Sequence, residues 1–141
     1  MSTRRPSAAL AVLRAAATTG ELERFCVRWD VDLLVAFGSA VDPERADDAR
    51  DLDLAVLFAE PPPGLGHLSF VTELTGWLQL DELDVVDLGR AGPVLREQAL
   101  AYGVPLYERT PSLFAERQIQ AITARMDTAW LRRRQLDVLA E

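Results

Sequence analysis

Lysine is absent from this sequence: all fifteen of its basic residues are arginine. That absence removes mechanisms built on a phosphate-loop lysine or a Schiff-base lysine. Cysteine and histidine occur once each. An internal disulfide and a multi-cysteine zinc site are therefore excluded, and Cys26 reads as a small buried apolar residue suited to a reducing compartment. No apolar run approaches the roughly 18 residues of a spanning helix, and Met1 to Pro6 lead into no apolar stretch of signal type. A cytoplasmic location without membrane contact is expected. Basic excess is lacking as well. The net charge of −7 argues against nucleic acid as a direct partner, because phosphate backbones require clustered positive charge.

What is present is a folding chain. Its 141 residues, 49% hydrophobic and 26% charged, have the length and composition of a single globular domain spanning 1–141. The acid is concentrated: residues 38–92 hold twelve acidic residues against three arginines, whereas each flanking segment carries a net +1. Such a concentration suits a bound cation, and equally a solvated acidic loop.

Hydrophobic periodicity divides the chain into alternating helices and strands. Ser7 to Ala17 predicts a helix closed by Gly20, and Glu21 to Trp29 a second, with Thr18 and Thr19 as candidate caps and Asp30 as its breaker. Val31 to Phe37 and Leu52 to Phe58 are continuous apolar runs of strand length, joined by a polar connection over Ala40 to Arg50. After a Pro-Gly loop, Leu65 to Leu80 predicts a helix with Leu68, Val71, Leu74, Trp77 and Leu78 along its buried stripe. Leu83 to Leu88 predicts a third strand, Val94 to Tyr102 a helix ending at Gly103, and Val104 to Tyr107 a short edge strand. A long final helix over Ser112 to Ala140 presents Phe114, Ile122, Met126, Ala129, Arg133 and Leu136 on one side. Strands separated by helices imply an α/β layered domain.

Three carboxylates, Asp51, Asp53 and Asp84, stand at the edges of apolar strands, where packing alone would not put them. Strand alternation projects Asp51 and Asp53 from one face, about 7 Å apart. Asp84 completes a three-oxygen cluster if its strand pairs with theirs. Hard oxygen ligands of this kind select Mg²⁺ or Mn²⁺. Upstream, Gly38 and Ser39 end the first strand at a glycine and a small hydroxyl, a pair that lets backbone amides approach a phosphate. Phosphate binder followed by paired acids is a layout suited to Mg-nucleotide chemistry.

The stretch FGSAVDPERADDARDLDLAVLF resembles the minimal nucleotidyltransferases (MNT) of the DNA polymerase beta superfamily, whose motif is Gly-Ser, a spacer of roughly ten residues, then Asp-x-Asp. LDELDVVDL looks like the strand supplying that family's third carboxylate, and GPVLREQALAYGVPLYER resembles the helix and strand that follow it. The resemblance implies a polymerase beta palm-like α/β fold: a small mixed sheet with helices packed on it, a core at about 21–108 and a C-terminal helix at about 111–140. It implies that Asp51, Asp53 and Asp84 are catalytic and hold two Mg²⁺ ions, with Asp84 also activating the acceptor hydroxyl. Gly38 and Ser39 would hold the triphosphate of ATP. Chains of this size are similar to the MNT antitoxins of HEPN/MNT toxin-antitoxin pairs, whose active members move AMP from ATP to a tyrosine of the partner HEPN RNase toxin and silence it.

The match departs from the family pattern at the loop. The spacer from Ser39 to Asp51 has eleven residues, Asp42-Pro43 replaces the usual Arg-Gly, and Arg50 stands where a serine often precedes the acids. An acid there weakens nucleotide binding unless Arg45 or Arg50 reaches back. Two alternatives therefore stand beside the antitoxin adenylyltransferase: an antitoxin that inhibits by binding only, and a small-molecule nucleotidyltransferase. His67 reads as a solvated helix-start residue, Asp87 as a cap or ion-pair partner, and Tyr102 and Tyr107 as packed aromatics. Arg132, Arg133 and Arg134, beside Trp130 and Leu131 and near Asp127, Asp137 and Glu141, suggest a protein-partner face on the last helix.

Overall fold

The computed structural model describes residues 3–140, excluding the side chains of 128, 129 and 138–140; Met1, Glu141 and the Ala129 side chain lie outside the described residues. The elements run α1 (Pro6–Thr19), α2 (Glu21–Arg28), β1 (Val31–Phe37), β2 (Leu52–Phe58), α3 (Gly66–Leu78), β3 (Leu83–Asp87), α4 (Pro93–Ala101), β4 (Val104–Glu108) and α5 (Leu113–Ala140). Two short 3-10 turns, Ser39–Val41 and Ala46–Asp48, interrupt the connection from β1 to β2.

The four strands form one mixed sheet in the order β3-β2-β1-β4. β1 pairs antiparallel with both β2 and β4, whereas β2 and β3 are parallel. Side-chain alternation along each strand assigns its residues to two cores. On one face Leu34, Leu54 and Val56 pack with Leu13, Leu22, Phe70 and Leu74 from α1, α2 and α3. On the other, Leu33, Val35, Phe37 and Ala55 meet Ala99, Leu100 and Ala121 from α4 and α5. A sheet covered on both faces explains why β1 and β2 read as continuous apolar runs. Phe70 centres the first core, its ring 5.2 Å from Phe58 and 5.5 Å from both Phe25 and Trp29.

Chain reversals are set by a few backbone positions. Gly20, with φ +87°, closes α1 and opens α2, a left-handed conformation that glycine adopts without Cβ strain. Of the two threonines expected to cap α2, Thr19 accepts weakly from the Glu21 amide at 3.4 Å, but Thr18 donates back to the Ala15 carbonyl instead. Arg109 joins the ends of β1 and β4 by pairing with Asp30 at 2.8 Å and Asp32 at 3.2 Å. Cys26 is fully buried, and its surroundings push the thiol up to about 12, chiefly through burial.

Some expected helix positions are corrected. In α3 the expected Val71, Leu74, Trp77 and Leu78 pack on the first core, Phe70 is buried with them, and Leu68 is 60% exposed. Phe70 faces an aromatic cluster that tertiary packing supplies and periodicity does not reveal. In α5 the packed residues are Leu113, Phe114 and Ala121, and Gln118 donates to the Leu100 carbonyl at 3.0 Å. Met126 and Leu136 from the expected stripe are exposed, as are Trp130 and Leu131, because the helix outruns the layer beneath it. Among the described residues no helix is long and apolar enough to cross a membrane.

Candidate active site

The parallel register of β2 and β3 sets Asp53 opposite Asp84. Neighbouring strands lie about 4.8 Å apart, so the two side chains leave the sheet side by side. Asp51 stands two residues before Asp53, just ahead of β2, and alternation turns it to the same face. That face is the one covered by α4 and α5, since Ala55 and Val86 share it. At the carboxylate end the helices no longer cover the sheet, and a cleft of about 1030 Å³ opens there. Asp51, Asp53 and Asp84 all line this cleft, together with Gly38 and Ser39. All five residues singled out in the sequence are thus brought to one place.

Gly38 has a specific steric duty. It follows Phe37, which faces Asp53 in the antiparallel register of β1 and β2. Its backbone sits at φ +79°, ψ −157°, a region essentially restricted to glycine. A Cβ placed there would lie 2.3 Å from Asp53 Oδ2. Backbone and carboxylate therefore touch at a position where no other residue fits, and Ser39 begins the 3-10 turn immediately beyond.

The electrostatics follow from this crowding. Asp53 is half-buried, and burial first, then the charges of Asp51 and Asp84, push its carboxyl up to about 6 from an ordinary 3.8. The charges of Asp51 and Asp84 both act against ionisation of Asp53. Among the described residues no three His, Cys, Asp or Glu side chains are drawn together into a finished ion-binding cage. The three aspartates share a face and a cleft.

The loop departure also acquires a geometry. Asp42 and Pro43 line the cleft, as does Arg45. The Asp42 carboxylate accepts from the Glu44 amide at 3.0 Å and its carbonyl accepts from the Arg45 and Ala46 amides. Asp42 thus folds the loop that delivers Arg45 to the cleft. Among the described residues Arg45 takes part in no ion pair. Arg50 lines a separate hollow beside it, shared with Ser39, Arg45 and Asp51.

Three expectations about neighbouring residues are tested directly. Asp87 caps the turn after β3, accepting from the Gly89 amide at 2.9 Å, and lies 3.9 Å from Arg90. Tyr107 is half-buried against the first core, as a packed aromatic should be. Tyr102 is the correction: it is 76% exposed and lines the carboxylate cleft with Leu95 and Gln98. These three residues were missed, although their spacing at i, i+3 and i+7 places them on one side of α4. Gly103 directly follows the C-cap of α4, at the helix end where it was expected. It is needed for close approach, because an added Cβ would lie 2.0 Å from the Ala99 carbonyl and 2.5 Å from Val35 Cγ1.

Comparison with solved structures finds the same fold in toxin-antitoxin complexes. The structure of a tri-AMPylated HEPN toxin with its MNT antitoxin from Shewanella oneidensis matches with a TM-score of 0.65 and 20% identity, over 92% of this chain and 99% of that one. A toxin-antitoxin structure with AMP-PNP matches with a TM-score of 0.66 and 21% identity, over 85% of this chain and 96% of the other. Sequence comparison with curated proteins finds no match. The polymerase beta nucleotidyltransferase family matches residues 21–112, from the start of α2 through β4. With the mixed sheet, the Gly38 approach and the aspartate pair across β2 and β3 in place within that span, the chain belongs to the polymerase beta nucleotidyltransferase family.

Proposed function

We propose that this protein is the antitoxin of an HEPN/MNT pair and acts as a Mg²⁺-dependent protein adenylyltransferase, moving AMP from ATP to a tyrosine of its HEPN partner. The observation that carries the reading is the convergence of Asp51, Asp53 and Asp84 on a cleft whose rim is the Gly38-Ser39 turn. The likeness in fold to MNT antitoxins solved with HEPN toxins, one of them tri-AMPylated, supports the choice of acceptor. The HEPN partner and the two-ion count are part of the same proposal.

The donor set fits magnesium: carboxylate oxygens from two adjacent strands, where burial first and then the Asp51 and Asp84 charges push the Asp53 carboxyl up to about 6, a cost that a divalent cation would lower. Magnesium, when bound, supplies charge neutralisation for the triphosphate and lowers the pKa of the acceptor hydroxyl. Asp51, Asp53 and Asp84 would hold it. Asp84 has a second task as the carboxylate that draws the proton from the incoming tyrosine. The Gly38-Ser39 turn presents backbone amides and a hydroxyl to the phosphates. Arg45, delivered to the cleft by the Asp42 turn, offsets the negative charge that Asp42 brings. The tyrosine oxygen bonds to the α-phosphorus, the bond from that phosphorus to the bridging oxygen breaks, and pyrophosphate leaves.

The test is label transfer. With ATP labelled at the α-phosphate, Mg²⁺ and the co-expressed HEPN protein, label should move to the HEPN protein, and γ-label should leave with pyrophosphate. A binding-only antitoxin is favoured by one observation, Asp42 lining the cleft. On that reading the complex forms and neither label transfers.

A further inference from the structure

The carboxylates, the Gly38-Ser39 turn and Arg45 account for the floor of the cleft and one wall. The opposite wall is α4, and its chemistry is different. Leu95, Gln98 and Tyr102 face the cleft at i, i+3 and i+7, with Val86 of β3 behind them. The other sides of α4 are already engaged: Ala99 and Leu100 are buried against the sheet and α5, and Glu97 pairs with Arg125 of α5 at 3.6 Å. The cleft-facing side therefore combines an apolar branch, a side-chain amide and an exposed aromatic ring, with no charge. It is a poor surface for phosphate and a good one for a heteroaromatic base.

We infer that this side of α4 seats the nucleobase, with Tyr102 stacking on the ring and Gln98 hydrogen-bonding its edge. The inference rests on the nucleotide-transfer reading of the same cleft. Tyr102 is held in place for the task. It is the C-cap of α4, and the next residue, Gly103, is pressed against the Ala99 carbonyl and Val35. The backbone beneath the ring is thus fixed at the cleft edge while the ring itself remains 76% exposed. Aromatic rings stack on any base, whereas an amide offers a paired donor and acceptor, the pattern that matches adenine's adjacent amino and ring-nitrogen groups. With the base on α4, the triphosphate runs across the aspartates toward Ser39 and Arg45. The cleft, about 1030 Å³, has room for the whole nucleotide.

The experiment is calorimetric binding of a non-hydrolysable ATP analogue with Mg²⁺ to the full-length protein, parent against Tyr102→Phe, Tyr102→Ala and Gln98→Leu. Tyr102→Ala should weaken binding about tenfold or more, and Tyr102→Phe should bind as the parent does. Gln98→Leu should narrow the preference for the ATP analogue over its GTP counterpart. Parental affinity in Tyr102→Ala would overturn the inference while leaving nucleotide binding intact. Equal weakening in Tyr102→Phe and Tyr102→Ala would also overturn it, by assigning the effect to the hydroxyl. If the parent bound neither analogue, the nucleotide-transfer reading itself would fall, and this inference with it.

Discussion

Replacing Asp53 by asparagine should stabilise the fold while abolishing transfer. Asp53 carries a carboxyl pushed up to about 6 from 3.8 by burial and by the Asp51 and Asp84 charges. An acid with a raised native pKa binds its proton more tightly folded than unfolded, so stability falls as pH rises from 3.8 through about 6. Above that window the full penalty is present; below it the penalty vanishes. At about 1.4 kcal/mol per tenfold the unscreened penalty is about 3 kcal/mol. Solvent screening around a half-buried carboxylate reduces it to roughly 1–2 kcal/mol. Asparagine keeps the shape and removes the charge. In chelator, near pH 7.5, Asp53→Asn should melt about 3–8 °C above the parent, and the gap should close near pH 4. Magnesium should raise the parent's melting temperature at the higher pH and leave the variant's unchanged. A variant that melts at or below the parent near pH 7.5, or a gap independent of pH, would refute the reasoning.

Gly38→Ala should lose transfer and cost about 1–3 kcal/mol in chemical denaturation, because its backbone conformation excludes a Cβ that would meet Asp53. Phe70→Ala, at the centre of the aromatic cluster, should cost about 3–5 kcal/mol by the same assay. Gly103→Ala forces a Cβ onto the Ala99 carbonyl, a backbone atom that cannot turn aside. It should destabilise by about 1–3 kcal/mol, and the loss in nucleotide affinity should exceed that of a substitution at an exposed alanine such as Ala59→Gly.

The strands and the carboxylate layout were legible because they are written locally. Val31 to Phe37 and Leu52 to Phe58 are bounded by Asp30, which adopts φ +57°, by Gly38 and by polar residues, and the observed strands have the same limits. The pairing of Asp53 with Asp84 depends on a parallel contact between β2 and β3 across an intervening helix, which alternation permits and only the sheet order establishes. Helix faces were less legible. In α3, Leu68 and Phe70 are both apolar, and what buries Phe70 is the cluster of Phe25, Trp29 and Phe58 from other elements. Tyr102 misled for a related reason: an aromatic at a helix end is ordinarily packed, and its exposure follows from the cleft opening beside it. The Asp42-Pro43 departure was visible in sequence, but its consequence, a turn that carries Arg45 to the cleft, required the loop's hydrogen bonds.

The most direct test of the central claim is intact mass spectrometry of the co-expressed HEPN protein after incubation with this protein, ATP and Mg²⁺, in parallel with Asp53→Asn. The account predicts a gain in whole AMP units with the parent and none with the variant, both forming the complex. An unchanged mass with the parent, alongside a stable complex, or an equal gain with Asp53→Asn, would contradict it.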